Sequence, residues 1–268
     1  MLRKVITKFF LPVGVFYMSI ALLMTIFQEK LLFMSDTLPN EYRFGFANSY
    51  KELFLKNGDD AVLNGIHFTK ESPKGVILYF HGNKGELDRW GAWGEQLLEK
   101  YEYDVVVWDY RGYGKSTGER TIEAMLEDGQ LFYNYCKSLY PESDIVLWGR
   151  SLGGAFASHI ARNNDPKKLI LESTFTEIED VAKRRYGFLP IDILLRYPFQ
   201  NIENIEGITA DTYIIHGNED ALVPFEMGKT LYQRSKAKNK HFFRIDGGEH
   251  NKMNKLPQFH EAIGAILR

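Results

Sequence analysis

Gly149-Arg150-Ser151-Leu152-Gly153-Gly154 is the stretch of the 268-residue sequence that decides its fold. It follows an apolar run over residues 145–148 and precedes small residues at helical spacing over 152–163. Glycines on both sides of a serine leave room for the sharp, strained turn that exposes a hydroxyl between a strand and a helix. The pattern predicts that Ser151 is a nucleophile at the carboxyl end of a buried strand.

Short apolar runs alternate with longer helical patterns on both sides of this turn. Two early runs, 42–55 and 61–68, are predicted to form antiparallel strands joined by a tight turn at Asn57-Gly58. Alternation of strand and helix is typical of an α/β fold, with a mostly parallel sheet covered by helices on both faces. We expect the later strands over 76–80, 105–109, 145–148, 169–172, 212–216 and 242–246, and helices over 90–100, 122–139, 152–163, 225–235 and 256–267.

A nucleophilic serine needs a base to take its proton and an acid to orient that base. His250 follows the last predicted strand, and Asp220 follows the strand before it. Taken alone, each has an ordinary structural explanation, as a surface-loop histidine and a turn aspartate. Their occurrence after Ser151 in the order serine, acid, histidine predicts a catalytic triad. Glu219 and Asp246 are the alternative acids.

The backbone N–H groups of Asn83 and Leu152 are the predicted oxyanion hole. His81-Gly82-Asn83 follows the strand expected over 76–80, which is where this kind of fold takes its second oxyanion donor. Leu152 directly follows the serine, at the positive end of the next helix. His81 precedes the serine in the chain, so we expect it to hydrogen-bond within its loop rather than act as the base.

Residues 109–116 end in Gly-Lys-Ser and superficially resemble a phosphate-binding loop. The Walker pattern requires a glycine where this chain has Asp109, so nucleotide binding is not supported. We expect a structural loop in which Arg111 pairs with an acidic neighbour.

Composition excludes several other classes of function. The chain has 33 Lys and Arg against 35 Asp and Glu, and its net charge of -2 argues against nucleic acid as a partner. Cys136 is the only cysteine, which excludes an internal disulfide and a cysteine-built metal site. No metal site is predicted elsewhere in the sequence.

The N-terminus carries an uncharged run over residues 9–27, long enough to span a bilayer as a helix. Arg3, Lys4 and Lys8 precede it, so the positive-inside rule predicts a cytoplasmic N-terminus and single-pass membrane anchor over 1–30. The catalytic domain, 31–268, is then expected on the non-cytoplasmic side. Two alternatives remain open: a signal peptide cleaved after Ser19-Ile20-Ala21, which would make the protein secreted, and a buried N-terminal helix.

These motifs together resemble the α/β-hydrolase superfamily over residues 42–268. The resemblance is closest to membrane-anchored serine hydrolases with a small cap, a group that includes protein depalmitoylases. Residues 27–33, after the apolar run, also resemble that group's junction. The motifs that carry the resemblance are His81-Gly82-Asn83, residues 109–116, Gly149 to Gly154, His216-Gly217-Asn218-Glu219-Asp220 and Gly248-Glu249-His250-Asn251.

The resemblance implies a serine hydrolase that cleaves ester, thioester or amide bonds through an acyl-enzyme and needs no cofactor. An acyltransferase that uses the same acyl-enzyme is an alternative, as is a peptidase or amidase. A non-catalytic binding protein on the same fold is a further alternative, because fold alone does not prove function.

An apolar insertion over residues 174–210 is expected to form a small cap. Phe188, Leu189 and Leu194 lie within it and are predicted to contact the substrate. Packing of the insertion onto the domain explains most of its apolar residues equally well. The N-terminal run and the cap together favour an acyl or lipid substrate near a membrane.

Overall fold

The computed structural model describes residues 2–58 and 60–268, with their side chains from residue 10 onward. Within these residues, one sheet contains eight strands in the order β1-β2-β4-β3-β5-β6-β7-β8. The strands are β1 (Tyr50–Lys56), β2 (Val62–Phe68), β3 (Val76–Phe80), β4 (Asp104–Trp108), β5 (Ile145–Arg150), β6 (Lys168–Glu172), β7 (Asp211–Gly217) and β8 (Lys240–Ile245).

The sheet is parallel from β4 to β8 and antiparallel at its N-terminal edge, as the sequence predicts. One boundary is wrong, because the first strand begins at Tyr50 and not at Tyr42. Phe44 and Phe46 instead stack on each other with ring centroids 5.5 Å apart, and Phe46 packs edge-on against Phe68 of β2. The alternation of Phe44 and Phe46 therefore reflects packing against the sheet and not the hydrogen-bonded pairing of a strand.

Helices cover both faces of the sheet. Phe132 and Phe156 belong to the core on one face, and Leu97 and Phe259 belong to the core on the other. The helices are α1 (Leu2–Ile26), α2 (Gln28–Leu32), α3 (Leu87–Lys100), α4 (Ile122–Lys137), α5 (Gly153–Asn163), α6 (Ile178–Tyr186), α7 (Ile191–Leu194), α8 (Asn201–Ile205), α9 (Phe225–Arg234) and α10 (Pro257–Leu267).

The loop over residues 109–116 has the structural role that the sequence predicts. The Arg111 guanidinium lies in the core and donates to both carboxylate oxygens of Asp128 on α4, at 2.6 and 2.9 Å. A bidentate pair of this kind satisfies two buried charges at once. It also fixes the loop after β4 to the helix that follows.

The N-terminal helix α1 contains Pro12. The membrane-spanning segment predicted over residues 9–27 finds no support here, since no helix of the described part of the chain is both long enough and apolar enough to cross a membrane. The side chains of Arg3, Lys4 and Lys8, on which the predicted orientation depends, lie outside the described residues. The C-terminal part of α1 contacts the cap insertion, where Ala21 is buried in a cluster with two cap residues.

The cap insertion lies between β6 and β7 and contains α6, α7 and α8. The short helix α2 connects it to the N-terminal segment. Gln28 of α2 donates from Nε2 to the Leu194 carbonyl at 2.8 Å and accepts at Oε1 from the Arg196 N–H at 2.6 Å. These two bonds join segments more than 160 residues apart in the sequence.

Candidate active site

Ser151 lies in the strained turn between β5 and α5. Its φ is +52°, a left-handed value that is uncommon for a residue with a side chain. A Cβ on Gly153 would come within 1.9 Å of the Phe80 carbonyl oxygen, and one on Gly149 within 2.5 Å of the Gly153 oxygen. Both positions therefore require glycine, and the turn can present the serine only because they have it.

The structure brings the three predicted triad residues together. His250 Nε2 lies 3.1 Å from Ser151 Oγ, and His250 Nδ1 lies 2.7 Å from Asp220 Oδ2. All three residues are between 6% and 8% exposed, so the hydrogen bonds are shielded from water while the site stays open to a substrate. This is the geometry that a serine, base and acid need for nucleophilic catalysis.

Asp220 is held on the side away from His250 as well. Its Oδ1 accepts hydrogen bonds from the backbone N–H groups of Leu222 and Val223, at 3.0 and 2.8 Å. The two oxygens thus have separate partners, which fixes the carboxylate plane relative to the imidazole. The alternative acid Asp246 is exposed and accepts a hydrogen bond from Arg244 Nε at 2.6 Å, away from His250.

The backbone amides of Asn83 and Leu152 are available for an oxyanion. Neither N–H donates to a protein acceptor in the part of the chain that the structure describes. The Asn83 carbonyl is fixed in place, because it accepts hydrogen bonds from the Met34 N–H at 2.9 Å and from the Tyr113 hydroxyl at 2.8 Å. Their assignment to an oxyanion hole stays a prediction.

His81 has the structural position expected for it. Its Nδ1 lies 2.6 Å from the Gly82 carbonyl oxygen, and its Nε2 lies 3.3 Å from Asp109 Oδ1 in the core. Burial raises the pKa of Asp109, and the contact with His81 opposes that shift. The pair anchors the loop that carries Asn83.

An ion pair that sequence reasoning missed fixes the histidine loop to the nucleophile turn. Arg150 donates from Nε to Glu172 Oε1 at 2.9 Å and from Nη2 to the His250 carbonyl at 2.7 Å. Trp148 Nε1 donates to the second Glu172 oxygen at 3.0 Å. Burial raises the pKa of Glu172, and the charge of Arg150 counteracts this. A signal exists in the sequence, since Arg150 and Glu172 end neighbouring parallel strands and pair in register.

A cavity of about 710 Å³, hereafter the main cavity, opens beside Ser151 and His250. Two of the three predicted substrate contacts, Leu189 and Leu194, line it. The third, Phe188, does not line the cavity, and its side chain is 61% exposed. Phe188 lies in the bend between α6 and α7, where its carbonyl accepts a hydrogen bond from the Tyr17 hydroxyl of α1 at 3.0 Å.

The N-terminal segment supplies part of the cavity wall. Met24, Leu31 and Leu32 line the main cavity, together with Gln28 and Met34. Sequence reasoning treated this segment as a separate anchor and did not predict the contact. The only available signal was the apolar run over residues 31–34, directly after α1.

Comparisons with known proteins agree with this arrangement. A family model described as serine aminopeptidase, S33, matches residues 71–190, which include Ser151 but end before Asp220 and His250. The chain is 33% identical to lysophosphatidylserine lipase ABHD12 of Danio rerio over 228 residues, covering 74% of this chain and 59% of that protein. It is 29% identical to the α/β hydrolase domain-containing protein WAV2 of Arabidopsis thaliana, covering 84% of this chain and 81% of that protein.

Solved structures show the same architecture. The esterase Pf2001 of Pyrococcus furiosus superposes with a TM-score of 0.69 at 18% identity, covering 88% of this chain and 97% of the esterase. The chain spans between 44% and 59% of the length of the lysophosphatidylserine lipases that it matches. The similarity in sequence therefore concerns one part of those proteins.

Proposed function

We propose that this chain, a member of the α/β-hydrolase superfamily of serine hydrolases, cleaves the carboxylic ester bond of lipids that carry a single acyl chain. One observation carries the proposal: Ser151 Oγ lies 3.1 Å from His250 Nε2 at the edge of a cavity of about 710 Å³ with leucine-rich walls. That volume is within the usual range for pockets that enclose a small-molecule ligand. The name of the similar lysophosphatidylserine lipase supports a lipid with one acyl chain.

In the proposed reaction, Ser151 Oγ attacks the ester carbonyl carbon while its proton passes to His250 Nε2. The carbonyl oxygen becomes negatively charged and accepts hydrogen bonds from the N–H groups of Asn83 and Leu152. The bond to the alcohol oxygen then breaks, and His250 returns the proton to that oxygen. Water attacks the remaining acyl-enzyme by the same route and releases the fatty acid.

Asp220 acts on this reaction through His250. It accepts from Nδ1 at 2.7 Å, which leaves Nε2 unprotonated and able to accept the serine proton. The carboxylate also stabilises the imidazolium that forms. Thioesters have the same electrophilic carbonyl and are expected to react by the same steps.

The Ser151→Ala variant tests the proposal. Turnover of p-nitrophenyl esters is expected to fall by about 1,000-fold or more, because the nucleophile is lost. Labelling of the purified full chain by a fluorophosphonate probe is expected to disappear, while the thermal unfolding midpoint stays close to that of the wild type. Persistent labelling of the variant, or wild-type activity that does not increase from acetate to longer acyl esters, would contradict the proposal.

We further propose that α1 contacts a lipid surface. Several large apolar side chains of α1 are more than half exposed, among them Phe16 at 68% and Leu22 at 62%. Exposed apolar side chains on one helix are typical of interfacial contact. The same helix borders the main cavity at Met24, so a lipid held at α1 lies next to the cavity mouth.

Flotation of the full chain with phosphatidylcholine vesicles tests this contact. The double variant Phe16→Ser, Leu22→Ser is expected to reduce the floated fraction markedly, because each substitution removes about 1–2 kcal/mol of apolar transfer free energy. Leu139→Ser is the matched control, since Leu139 is 52% exposed and follows α4, away from α1. Equal flotation of all variants would exclude α1 as the contact.

A further inference from the structure

One peptide group of the nucleophile turn has its carbonyl held by a buried side chain. The Ser151 carbonyl accepts a hydrogen bond from the Thr174 hydroxyl at 2.7 Å, and another from the Gly154 N–H at 3.0 Å. The N–H of the same peptide group belongs to Leu152 and is a predicted oxyanion donor. Because a trans peptide is planar, its carbonyl and its N–H point in opposite directions. A side chain that fixes the Ser151 carbonyl therefore also fixes the direction of the Leu152 N–H.

The end of β6 holds the nucleophile from both sides of its Cα. The Ser151 N–H donates to the Glu172 carbonyl at 2.8 Å, and the Ser151 carbonyl accepts from Thr174 two residues further along. These two peptide groups define φ and ψ of Ser151, whose φ of +52° is uncommon for a residue with a side chain. An unfavourable backbone conformation persists only where its surroundings fix it. Residues 172–174 supply that restraint.

The chain after β6 is shaped to bring Thr174 to this position. Ser173, directly before it, also has a left-handed φ of +45°, and its N–H donates to the Ile215 carbonyl of β7 at 2.9 Å. A Cβ on Gly154 would lie 2.2 Å from Thr174 Oγ1 and 2.6 Å from Thr174 Cβ. Glycine at this position thus leaves the space that the Thr174 side chain occupies. Both features place that side chain against the nucleophile turn.

Asn201, the first residue of α8, fixes the direction of the Thr174 hydroxyl. Its Nδ2 donates to Thr174 Oγ1 at 3.3 Å and to the Phe175 carbonyl at 2.9 Å, while its Oδ1 accepts from Ser158 Oγ at 2.7 Å. Since Asn201 donates to the Thr174 oxygen, the single proton of that hydroxyl is left for the Ser151 carbonyl. Thr174, Asn201 and Ser158 are all fully buried, so water does not compete for these bonds.

We propose that Thr174 is a positioning residue for the oxyanion hole, which aims the Leu152 N–H at the oxyanion by holding the Ser151 carbonyl on the opposite side of the same peptide. The inference rests on the proposed ester hydrolysis. Thr174 does not line the main cavity, so it acts through the backbone of the nucleophile turn. A hydrogen bond to the carbonyl also polarises the peptide and makes its N–H a better donor. The effect of Thr174 therefore belongs to the transition state, where the substrate oxygen is charged, and not to substrate binding.

Thr174→Val tests this role, because it replaces the hydroxyl with a methyl group and removes the bond to Ser151. In the full chain, kcat for p-nitrophenyl butyrate is expected to fall by about 10-fold or more while KM stays within about twofold. The affinity for an alkyl trifluoromethyl ketone, which forms a tetrahedral oxyanion adduct with the serine, is expected to fall by a similar factor. The corresponding methyl ketone binds without forming the adduct, and its affinity is expected to stay unchanged.

Two further variants separate positioning from a general loss of stability. Thr174→Ser keeps the hydroxyl, so its kcat is expected to stay within about threefold of wild type. Thr212→Val is the matched structural control, because Thr212 is equally buried and its hydroxyl donates to the Ala210 carbonyl at 2.9 Å. Thr212 lies at the start of β7, whereas Asp220 follows the end of that strand. Thr212→Val is expected to lower the unfolding midpoint about as much as Thr174→Val, and to leave kcat and both ketone affinities unchanged.

Asn201→Ala gives a graded second test. It removes the donor that orients the Thr174 hydroxyl but leaves the hydroxyl in place, so we expect a smaller, several-fold loss of kcat with KM unchanged. Asn204→Ala is its control, because Asn204 Nδ2 donates to Ser158 Oγ at 3.1 Å, one hydrogen bond further from Thr174. This variant is expected to retain wild-type kcat.

The outcomes separate this inference from the proposed function. If the wild-type chain neither hydrolyses the ester nor reacts with a fluorophosphonate probe, the proposed function fails and this inference fails with it. If the wild type is active but Thr174→Val lowers kcat no more than Thr212→Val does, Thr174 has only a structural role and the inference is overturned. A Thr174→Val variant that raises KM at unchanged kcat, or that weakens both ketones equally, would also overturn it, since the effect would then lie in substrate binding.

Discussion

The carboxyl edge of the sheet and the wall of the main cavity are built in different ways. Ser151 directly follows β5, and five of the six residues of that strand are buried. The rest of the cavity wall comes from the end of α1 and from α2, together with α6 and four-residue α7 of the cap, which lie far along the chain from α1 and α2. At the sheet edge, hydrogen-bonded strands fix each side chain. At the cavity wall, contacts between separate segments fix the side chains.

This difference predicts where substitutions have large effects. A polar side chain at the sheet edge meets its partners at defined distances, such as the 2.7 Å between Asp220 Oδ2 and His250 Nδ1. A side chain on the wall shares its role with several apolar neighbours. We therefore expect loss of a single polar atom at the edge to outweigh loss of several carbon atoms at the wall.

Asp220→Asn is the largest expected effect. The amide keeps the shape of the side chain but no longer favours protonation of His250 at Nδ1, so kcat is expected to fall by about 10,000-fold with little change in KM. Steady-state kinetics on one ester, with the variant's unfolding midpoint as a check on its fold, measures this.

Asp246→Asn and Glu219→Gln serve as controls for the acid. Asp246 pairs with Arg244 at the surface, so we expect its variant to retain wild-type kcat within about twofold. If either control reduced turnover as strongly as Asp220→Asn, the choice of acid would be wrong. More than one carboxylate at the sheet edge could then support His250. Single polar atoms there would be as replaceable as single apolar side chains on the cavity wall.

Sequence alone predicted the sheet edge because its signals are local. The strand β3 has the predicted bounds, and Asp220 and His250 follow β7 and β8 at the positions where a parallel sheet collects side chains. The Arg150–Glu172 pair was missed because charge complementarity becomes visible only when β5 and β6 are placed in register. Pairing across strands is information that a single stretch of sequence does not contain.

The wall was predicted less well for the same reason. Apolar residues in a cap indicate burial somewhere, but not which of them face the cavity: Leu194 lines it and Phe188 does not. The contribution of α1 and α2 depends on contacts such as Gln28 with the Leu194 carbonyl, across 166 residues of chain. An apolar N-terminal run likewise predicts contact with something apolar, and cannot distinguish a bilayer from a cap.

Leu194 and Phe188 provide the smallest and most discriminating test of the wall. Both lie in the cap within six residues of each other, but only Leu194 lines the main cavity. Leu194→Ala is expected to lower kcat/KM for p-nitrophenyl decanoate by about fivefold, which corresponds to about 1 kcal/mol of lost apolar contact. Hydrolysis of p-nitrophenyl acetate is expected to stay unchanged, because a two-carbon acyl group does not reach the wall. Phe188→Ala is expected to change neither, since its ring is largely exposed.

If Phe188→Ala instead reduced decanoate hydrolysis as much as Leu194→Ala, the wall would have a different composition when an acyl chain is bound. If neither variant altered the ratio of decanoate to acetate, the acyl chain would not lie against the cap at all.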